Sequence, residues 1–309
     1  MGKIAFLFAG QGAQHPGMGQ ALYQASPAAR QALDASEQVR PGTLKQCFQG
    51  PEEELTLTLN TQPCLFAVDY ACAAAARERG IEPDCLAGFS LGEVAAAAFG
   101  GVFSFEEGMR LVMRRAQLMQ DCAQAHPGAM LAVLRLSPAQ VEEICRQAGQ
   151  AYPVNYNCPG QTVVACAREV AEQVSQLAAA QRGRALPLKV SGAFHSPWME
   201  EAGRGLAAYL ADMTLSQPSL PLYANATAQP YGQDGRQAAG LLARQVYSPV
   251  RWQDTLERMA QAGVDTFVEV GAGTTLSGLV RKTLPQAAVY NVSDPQSLEQ
   301  AWEGIVHGA

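Results

Sequence analysis

The run Gly88-Phe89-Ser90-Leu91-Gly92 constrains this chain more than any other stretch. It has the form G-x-S-x-G. A short apolar strand candidate, Cys85-Leu86-Ala87, precedes it, and an alanine-rich helix candidate, Glu93 to Phe99, follows. Strand, serine, helix is the order of a nucleophile elbow, in which a sharp turn lifts a serine hydroxyl clear of the backbone. A turn so tight needs neighbours without side chains. The helix N-terminus beyond it offers backbone N–H groups that lack intrahelical partners and can stabilise an oxyanion. A glycine-bracketed loop serine of no function fits the same letters, so the rest of the chain has to decide.

The surrounding pattern is α/β. Ile4 to Ala9 is a continuous apolar run bounded by glycine, as expected of a strand buried on both faces. Helical patterns follow at about 18–36 and 62–79, then the elbow strand and its helix, then a helix near 105–123. Strands alternating with helices imply a parallel sheet. The middle of the chain reads differently. Ala129–Leu134, a helix from Ser137-Pro138 to about Ala148, Pro153–Asn157, Gln161–Cys166, a helix at 168–181 and Arg184–Lys189 give the order β-α-β-β-α-β, that of a ferredoxin-like unit. Later segments resume the α/β pattern, with strands at 222–225, 266–270 and 287–292 and a final helix at 296–307. The expected fold is therefore an α/β-hydrolase-like parallel-sheet subdomain, residues 1–125 and 191–309, with an inserted ferredoxin-like α+β subdomain at 126–190.

Bulk properties exclude several function classes. Of the 309 residues, 48% are apolar and 16% charged, so the chain can bury a core. A formal charge of -6 argues against nucleic acid as the main partner. The absence of a transmembrane-length apolar run argues against the membrane, and the opening residues do not form a signal peptide. The eight cysteines contain no C-x-x-C pair and sit in apolar surroundings, as reduced, buried residues of a cytoplasmic protein would. Gly10-x-Gly12 and Gly271-x-Gly273 do not continue into a dinucleotide fingerprint, and neither a P-loop nor H-E-x-x-H occurs, so no metal or cofactor is expected.

A serine nucleophile needs a base. The chain has four histidines, His15, His126, His195 and His307. His307 falls in a terminal helix, His126 precedes a proline at the subdomain boundary, and His15 sits in the early glycine-rich loop. His195 lies in Ser191-Gly192-Ala193-Phe194-His195-Ser196-Pro197, where the chain returns from the inserted unit, and position favours it.

Five segments in order, Gly10-Gln11-Gly12-Ala13-Gln14, Gly88–Glu93, Pro153-Val154-Asn155-Tyr156-Asn157-x-Pro159-Gly160-Gln161, Ala193-Phe194-His195-Ser196-Pro197 and Glu269-Val270-Gly271-x-Gly273, together resemble the malonyl-CoA:acyl-carrier-protein transacylase family, which includes polyketide synthase acyltransferase domains. The resemblance runs from about Ile4 to Asn291. It implies that Ser90 carries the acyl group, that His195 is the general base, and that the backbone N–H groups of Gln11 and Leu91 form the oxyanion hole. It implies a neutral carbonyl, at Gln245, as the group that orients the histidine. It places a substrate-binding arginine at Arg115, a choice over Arg114 that the residues alone do not make, and further site positions at Gln62 and Phe194. A guanidinium fork can hold the malonyl carboxylate bidentately, and the bulk of Phe194 would exclude a 2-methyl branch. The implied substrates are a CoA thioester and phosphopantetheinylated acyl carrier protein, both anionic. Arg182, Arg184, Lys189, Arg281 and Lys282 are candidates for the docking charge. The resemblance leaves fatty acid and polyketide pathways open, and a trans-acting polyketide acyltransferase or an acyl-carrier-protein thioester hydrolase would use the same scaffold. One departure stands out: Phe89 occupies the position before the serine, where the family usually has histidine.

Overall fold

The computed structural model describes residues 2–190, 192–232 and 234–306. In chain order the strands are β1 (Lys3–Phe8), β2 (Cys85–Gly88), β3 (Gly128–Leu134), β4 (Ala151–Cys158), β5 (Gln161–Ala167), β6 (Arg184–Pro187), β7 (Leu222–Tyr223), β8 (Val264–Val270) and β9 (Ala288–Val292). They form a parallel sheet of order β7-β2-β1-β8-β9 and an antiparallel sheet of order β4-β5-β3-β6. The second, with helices Pro138–Ala148 and Ala171–Ala180 between its strands, has the ferredoxin-like arrangement expected of the middle of the chain.

β1 lies at the centre of the parallel sheet, and its apolar run is divided between two cores by the two-residue period of a strand. Phe6 and Phe8 face a helical layer, where their ring centroids lie 6.0 and 5.7 Å from that of Phe99. Ala5 and Leu7 face the other side, with Trp252, Leu256 and Leu279. The central helix Thr58–Glu78 is almost wholly buried and contains Pro63. The second core and β4 meet at residue 250. Val250 N–H donates to the Val154 carbonyl at 2.8 Å, and Tyr156 N–H donates to the Val250 carbonyl at 2.9 Å. This stitch ties the small sheet to the segment that follows helix Gly235–Gln245.

Several elements differ from the sequence reading. The helix expected at 18–36 is two helices, Gln20–Ala25 and Pro27–Val39. Ser26 between them is extended because the residue before a proline is pushed out of the helical region, and its hydroxyl caps the second helix at Ala29 N–H. Helix Thr58–Glu78 begins a turn earlier than expected, so Gln62 sits inside it and fully buried, not at its start. Helices Thr43–Gln49, Glu52–Thr56 and Glu200–Ala211 were not expected at all. His307, Ser191 and the last residues of the final helix candidate lie outside the described residues.

Candidate active site

Ser90 stands between β2 and helix Leu91–Phe99 with φ 54° and ψ -103°. A non-glycine residue pays strain for that conformation and keeps it only where its surroundings enforce it. The enforcement is visible in the two flanking glycines. A Cβ on Gly88 would fall 1.9 Å from the carbonyl carbon of Gly92, and one on Gly92 would fall 2.2 Å from the Phe8 carbonyl oxygen. Asn225, just beyond β7 and buried, clamps the same turn from the side. Its Oδ1 accepts from Ser90 N–H at 2.7 Å and its Nδ2 donates to the Gly88 carbonyl at 2.7 Å.

Ser90 Oγ lies 2.7 Å from His195 Nε2. The other ring nitrogen, Nδ1, lies 2.9 Å from the backbone carbonyl oxygen of Gln245. A carbonyl only accepts, so Nδ1 carries the proton and Nε2 is free to take one from Ser90. His195 is buried and held at φ 62°, with its N–H on the Val246 carbonyl at 3.1 Å. Burial, and then the charge of Arg115, depress the imidazole pKa to about 4. The ring is therefore a neutral base at physiological pH.

Arg115, on helix Phe105–Ala125, is 1% exposed, while its neighbour Arg114 points to solvent. One terminal nitrogen donates to Gln62 Oε1 at 2.7 Å. The other donates to Gln245 Oε1 at 2.7 Å and to Ser90 Oγ at 3.1 Å. Its Nε is buried with no acceptor among the described residues. Burial pulls the guanidinium pKa down to about 10, against the opposing charge of Glu93.

Gln245 thus has two jobs. Its backbone orients His195, and its side chain joins Arg115 to Glu93, with Nε2 donating to Glu93 Oε2 at 2.7 Å and to the Ser90 carbonyl at 2.7 Å. Glu93 is fully buried. It also accepts from Tyr231 Oη at 2.5 Å and from Asn225 N–H at 3.1 Å. Burial raises its pKa to about 7, although these hydrogen bonds and Arg115 pull the other way.

The loop after β1 abuts the elbow. A Cβ on Gly10 would lie 2.6 Å from the Phe89 carbonyl oxygen. Gln11 and Phe89 help to line a cavity of about 120 Å³. Leu91 is the first residue of its helix, so its N–H has no partner within that helix. Phe89 stands edge-on to Trp252 at 5.3 Å. Phe194 is buried in the main core. His15 and His126 are exposed; His15 Nδ1 lies 3.0 Å from the Pro16 carbonyl oxygen and the backbone N–H of His126 closes its helix. Neither joins Ser90. Arg182, Arg184, Lys189, Arg281 and Lys282 are exposed.

Sequence reasoning missed Glu93, Asn225 and Tyr231. Glu93 left a signal: a carboxylate in the first turn of Leu-Gly-Glu-Val-Ala-Ala-Ala-Ala-Phe, a helix with no other charge, must find buried partners or pay for desolvation. Asn225 and Tyr231 left none.

Residues 5–299 match the acyl transferase domain family. The chain is 36% identical over 307 residues to the malonyl CoA-acyl carrier protein transacylase of Bacillus subtilis, covering 97% of this chain and 96% of that one. Among solved structures, it resembles the malonyl CoA-acyl carrier protein transacylase of Clostridium perfringens with a TM-score of 0.95 at 34% identity, covering 99% and 98% of the two chains. It also resembles a malonyl-transacylase solved in complex with a type II polyketide synthase acyl-carrier protein, with a TM-score of 0.94 at 34% identity over 98% and 99% of the two chains.

Proposed function

The chain belongs to the acyl transferase domain family, and from that premise we propose that it moves a malonyl group from malonyl-CoA to the phosphopantetheine thiol of acyl carrier protein, supplying fatty acid or polyketide synthesis. One observation carries the residue assignment. A neutral imidazole and a buried guanidinium both lie within hydrogen-bond distance of one serine hydroxyl. The serine and the imidazole are the nucleophile and base of acyl transfer. The guanidinium suits an acyl group that ends in a carboxylate.

The reaction runs in two halves. His195 Nε2 takes the Ser90 hydroxyl proton as Oγ attacks the thioester carbonyl. The carbonyl oxygen gains the charge, and the Gln11 and Leu91 N–H groups receive it. When the tetrahedral species collapses, the C–S bond breaks and the CoA sulfur leaves with the proton from His195. The carrier-protein thiol then gives its proton to His195, attacks the Ser90 ester, and the C–O bond breaks with the proton returning to Oγ. The Gln245 carbonyl holds the imidazole in one tautomer throughout. The malonyl carboxylate takes Arg115 through its unused Nε–H and the terminal nitrogen now shared with Ser90. Gln62 keeps the far edge of the guanidinium in place. Phe194 sets the volume beside the base.

Nucleophile and base both come from the protein, so the reaction needs no cofactor. Residues 1–125 and 191–309 supply the chemistry, and 126–190 form the small subdomain beside it. The exposed Arg182, Arg184, Lys189, Arg281 and Lys282 offer positive charge to anionic partners. Among the described residues no helix is long and apolar enough to cross a membrane. Eight free, buried cysteines suit a reducing compartment, and on that ground we place the protein in the cytoplasm. The test is intact-mass analysis after incubation with malonyl-CoA, with and without holo acyl carrier protein. A malonyl adduct on Ser90 that moves to the carrier is expected. An adduct on another residue, or loss of the acyl group to water without transfer, overturns the reading.

A further inference from the structure

Glu93 and Arg115 form a buried charge pair that never touches. The Gln245 side-chain amide stands between them, with its oxygen on Arg115 at 2.7 Å and its nitrogen on Glu93 at 2.7 Å. The carboxylate dictates that orientation, because only the NH₂ end of an amide can face it. The resting site is thus close to neutral: one guanidinium, one carboxylate, an uncharged imidazole. A malonyl group brings a second carboxylate to the same guanidinium. Two buried anions would then share one buried cation, and an uncompensated charge in such a place is strongly disfavoured.

On the function proposed above, we infer that malonyl binding is coupled to proton uptake by Glu93, which serves as the resting counter-charge of Arg115 and gives up that role when the substrate carboxylate takes it over. The step is Glu93–COO⁻ plus one proton from solvent giving Glu93–COOH, with no bond to carbon made or broken. The surroundings can accept it. Tyr231 Oη now donates to Oε1, and a hydroxyl can reverse, so that a protonated Oε1 donates to the tyrosine oxygen. Oε2 keeps its two donors, the Gln245 amide and Asn225 N–H. The groups facing Glu93 are Tyr231, Gln245, Asn225 and, beyond the amide, Arg115. Arg115 is the cation among them. Burial already brings the carboxyl to about 7, so a little above neutral pH it rests as the carboxylate, and a loss of Arg115's attraction to the incoming anion is enough to protonate it there. An acyl group without a carboxylate would trigger no uptake. Glu93 is thereby a specificity-determining positioning residue: it keeps Arg115 charged and aimed while the site is empty, and its neutralisation lets the acid-bearing acyl group stay.

The experiment uses the full chain carrying Ser90→Ala, which can bind thioesters without reacting. Calorimetric titration with malonyl-CoA and with acetyl-CoA, at about pH 8 in buffers of different ionisation enthalpy, counts protons taken up on binding. Malonyl-CoA is expected to bring in up to about one proton more than acetyl-CoA, and malonyl affinity to weaken up to about tenfold per pH unit above the titration of Glu93. Glu93→Gln, which keeps shape and hydrogen bonds but not charge, is expected to abolish the excess. Should that variant not fold, an infrared difference band for a newly protonated carboxyl on malonyl-CoA binding decides the same point. Equal proton counts for the two thioesters, or an excess that survives Glu93→Gln, overturn the inference while leaving malonyl transfer intact. If wild type is not malonylated at all, the function fails first and the inference with it.

Discussion

Arg115→Ala separates function from stability. Burial brings the guanidinium down to about 10. At about 1.36 kcal/mol per pH unit, the distance from a free guanidinium puts the cost of holding that charge in the fold at about 3 kcal/mol. Against this stand three hydrogen bonds, to Gln62, Gln245 and Ser90. Each is charge-assisted and worth roughly 1.5–3 kcal/mol. Truncation also leaves Glu93 without its cation. The burial cost offsets only part of these bonds, and the variant is expected to lose about 1.5–6 kcal/mol of stability. Catalysis has no such offset. Two charge-assisted hydrogen bonds to the malonyl carboxylate, at roughly 1.5–3 kcal/mol each, amount to about 3–6 kcal/mol, or roughly 10²–10⁴-fold in kcat/KM. Arg115→Lys keeps the charge but not the fork, and should recover only part of the loss. Arg114→Ala, on the solvent side of the same helix, should do little. The assay is kcat/KM for malonyl-CoA and for acetyl-CoA in wild type and the three variants, beside urea denaturation of each. A malonyl-to-acetyl ratio that is unmoved by Arg115→Ala, or one that moves equally in Arg114→Ala, refutes the carboxylate clamp.

Ser90→Ala should abolish the malonyl adduct while Cys64→Ala and Cys158→Ala, at buried thiols, leave it; an adduct mapped to a cysteine peptide would sink the serine mechanism. The depressed His195 pKa means that its base form persists down to about 4, so kcat/KM for acylation should keep its acidic limb well below the 6.5 of a free imidazole; a limb at 6.5 counts against the buried, Arg115-flanked histidine. The same shift has a stability sign: below 6.5 the unfolded histidine gains a proton that the folded one refuses, so stability is lost as pH falls from 6.5 towards 4, and His195→Ala should flatten that part of the profile. Asn225→Ala strips the clamp from Ser90 N–H and the Gly88 carbonyl, at about 1–3 kcal/mol for each group left unpaired, and should slow acylation as the strained elbow relaxes; unchanged rates with the expected destabilisation would show that the glycines alone hold the turn. Phe89→His keeps a planar ring beside Trp252, loses less than about 1.5 kcal/mol of aromatic contact, and should raise malonyl transfer by restoring a donor next to the nucleophile; identical kinetics would make the phenyl ring a neutral replacement.

The amino-acid order by itself determined what depends on neighbours in the chain. Gly88 and Gly92 around Ser90 specify the elbow because a side chain at either would collide with backbone within a few residues or on the next strand. Ile4 to Ala9 specifies a doubly buried strand by its unbroken apolar run, and the β-α-β-β-α-β order specifies the second sheet. Ser26-Pro27 shows a local rule overlooked, since the proline that splits the first helical stretch is plain in the letters. Helix Glu200–Ala211 was invisible for a different reason: glycines at 203 and 205 weaken its pattern, and both face close contacts, with Tyr247 and Leu118, that only packing creates. The tertiary structure alone decided which polar groups meet at Ser90. Asn225 is 135 residues from Ser90, Tyr231 is 138 from Glu93 and Gln245 is 152 from Glu93. No periodicity carries across such spans. A buried carboxylate in an alanine helix announces that it needs partners, but which partners come depends on where β7 and the helix ending at Gln245 dock, and that is fixed by the apolar core as a whole.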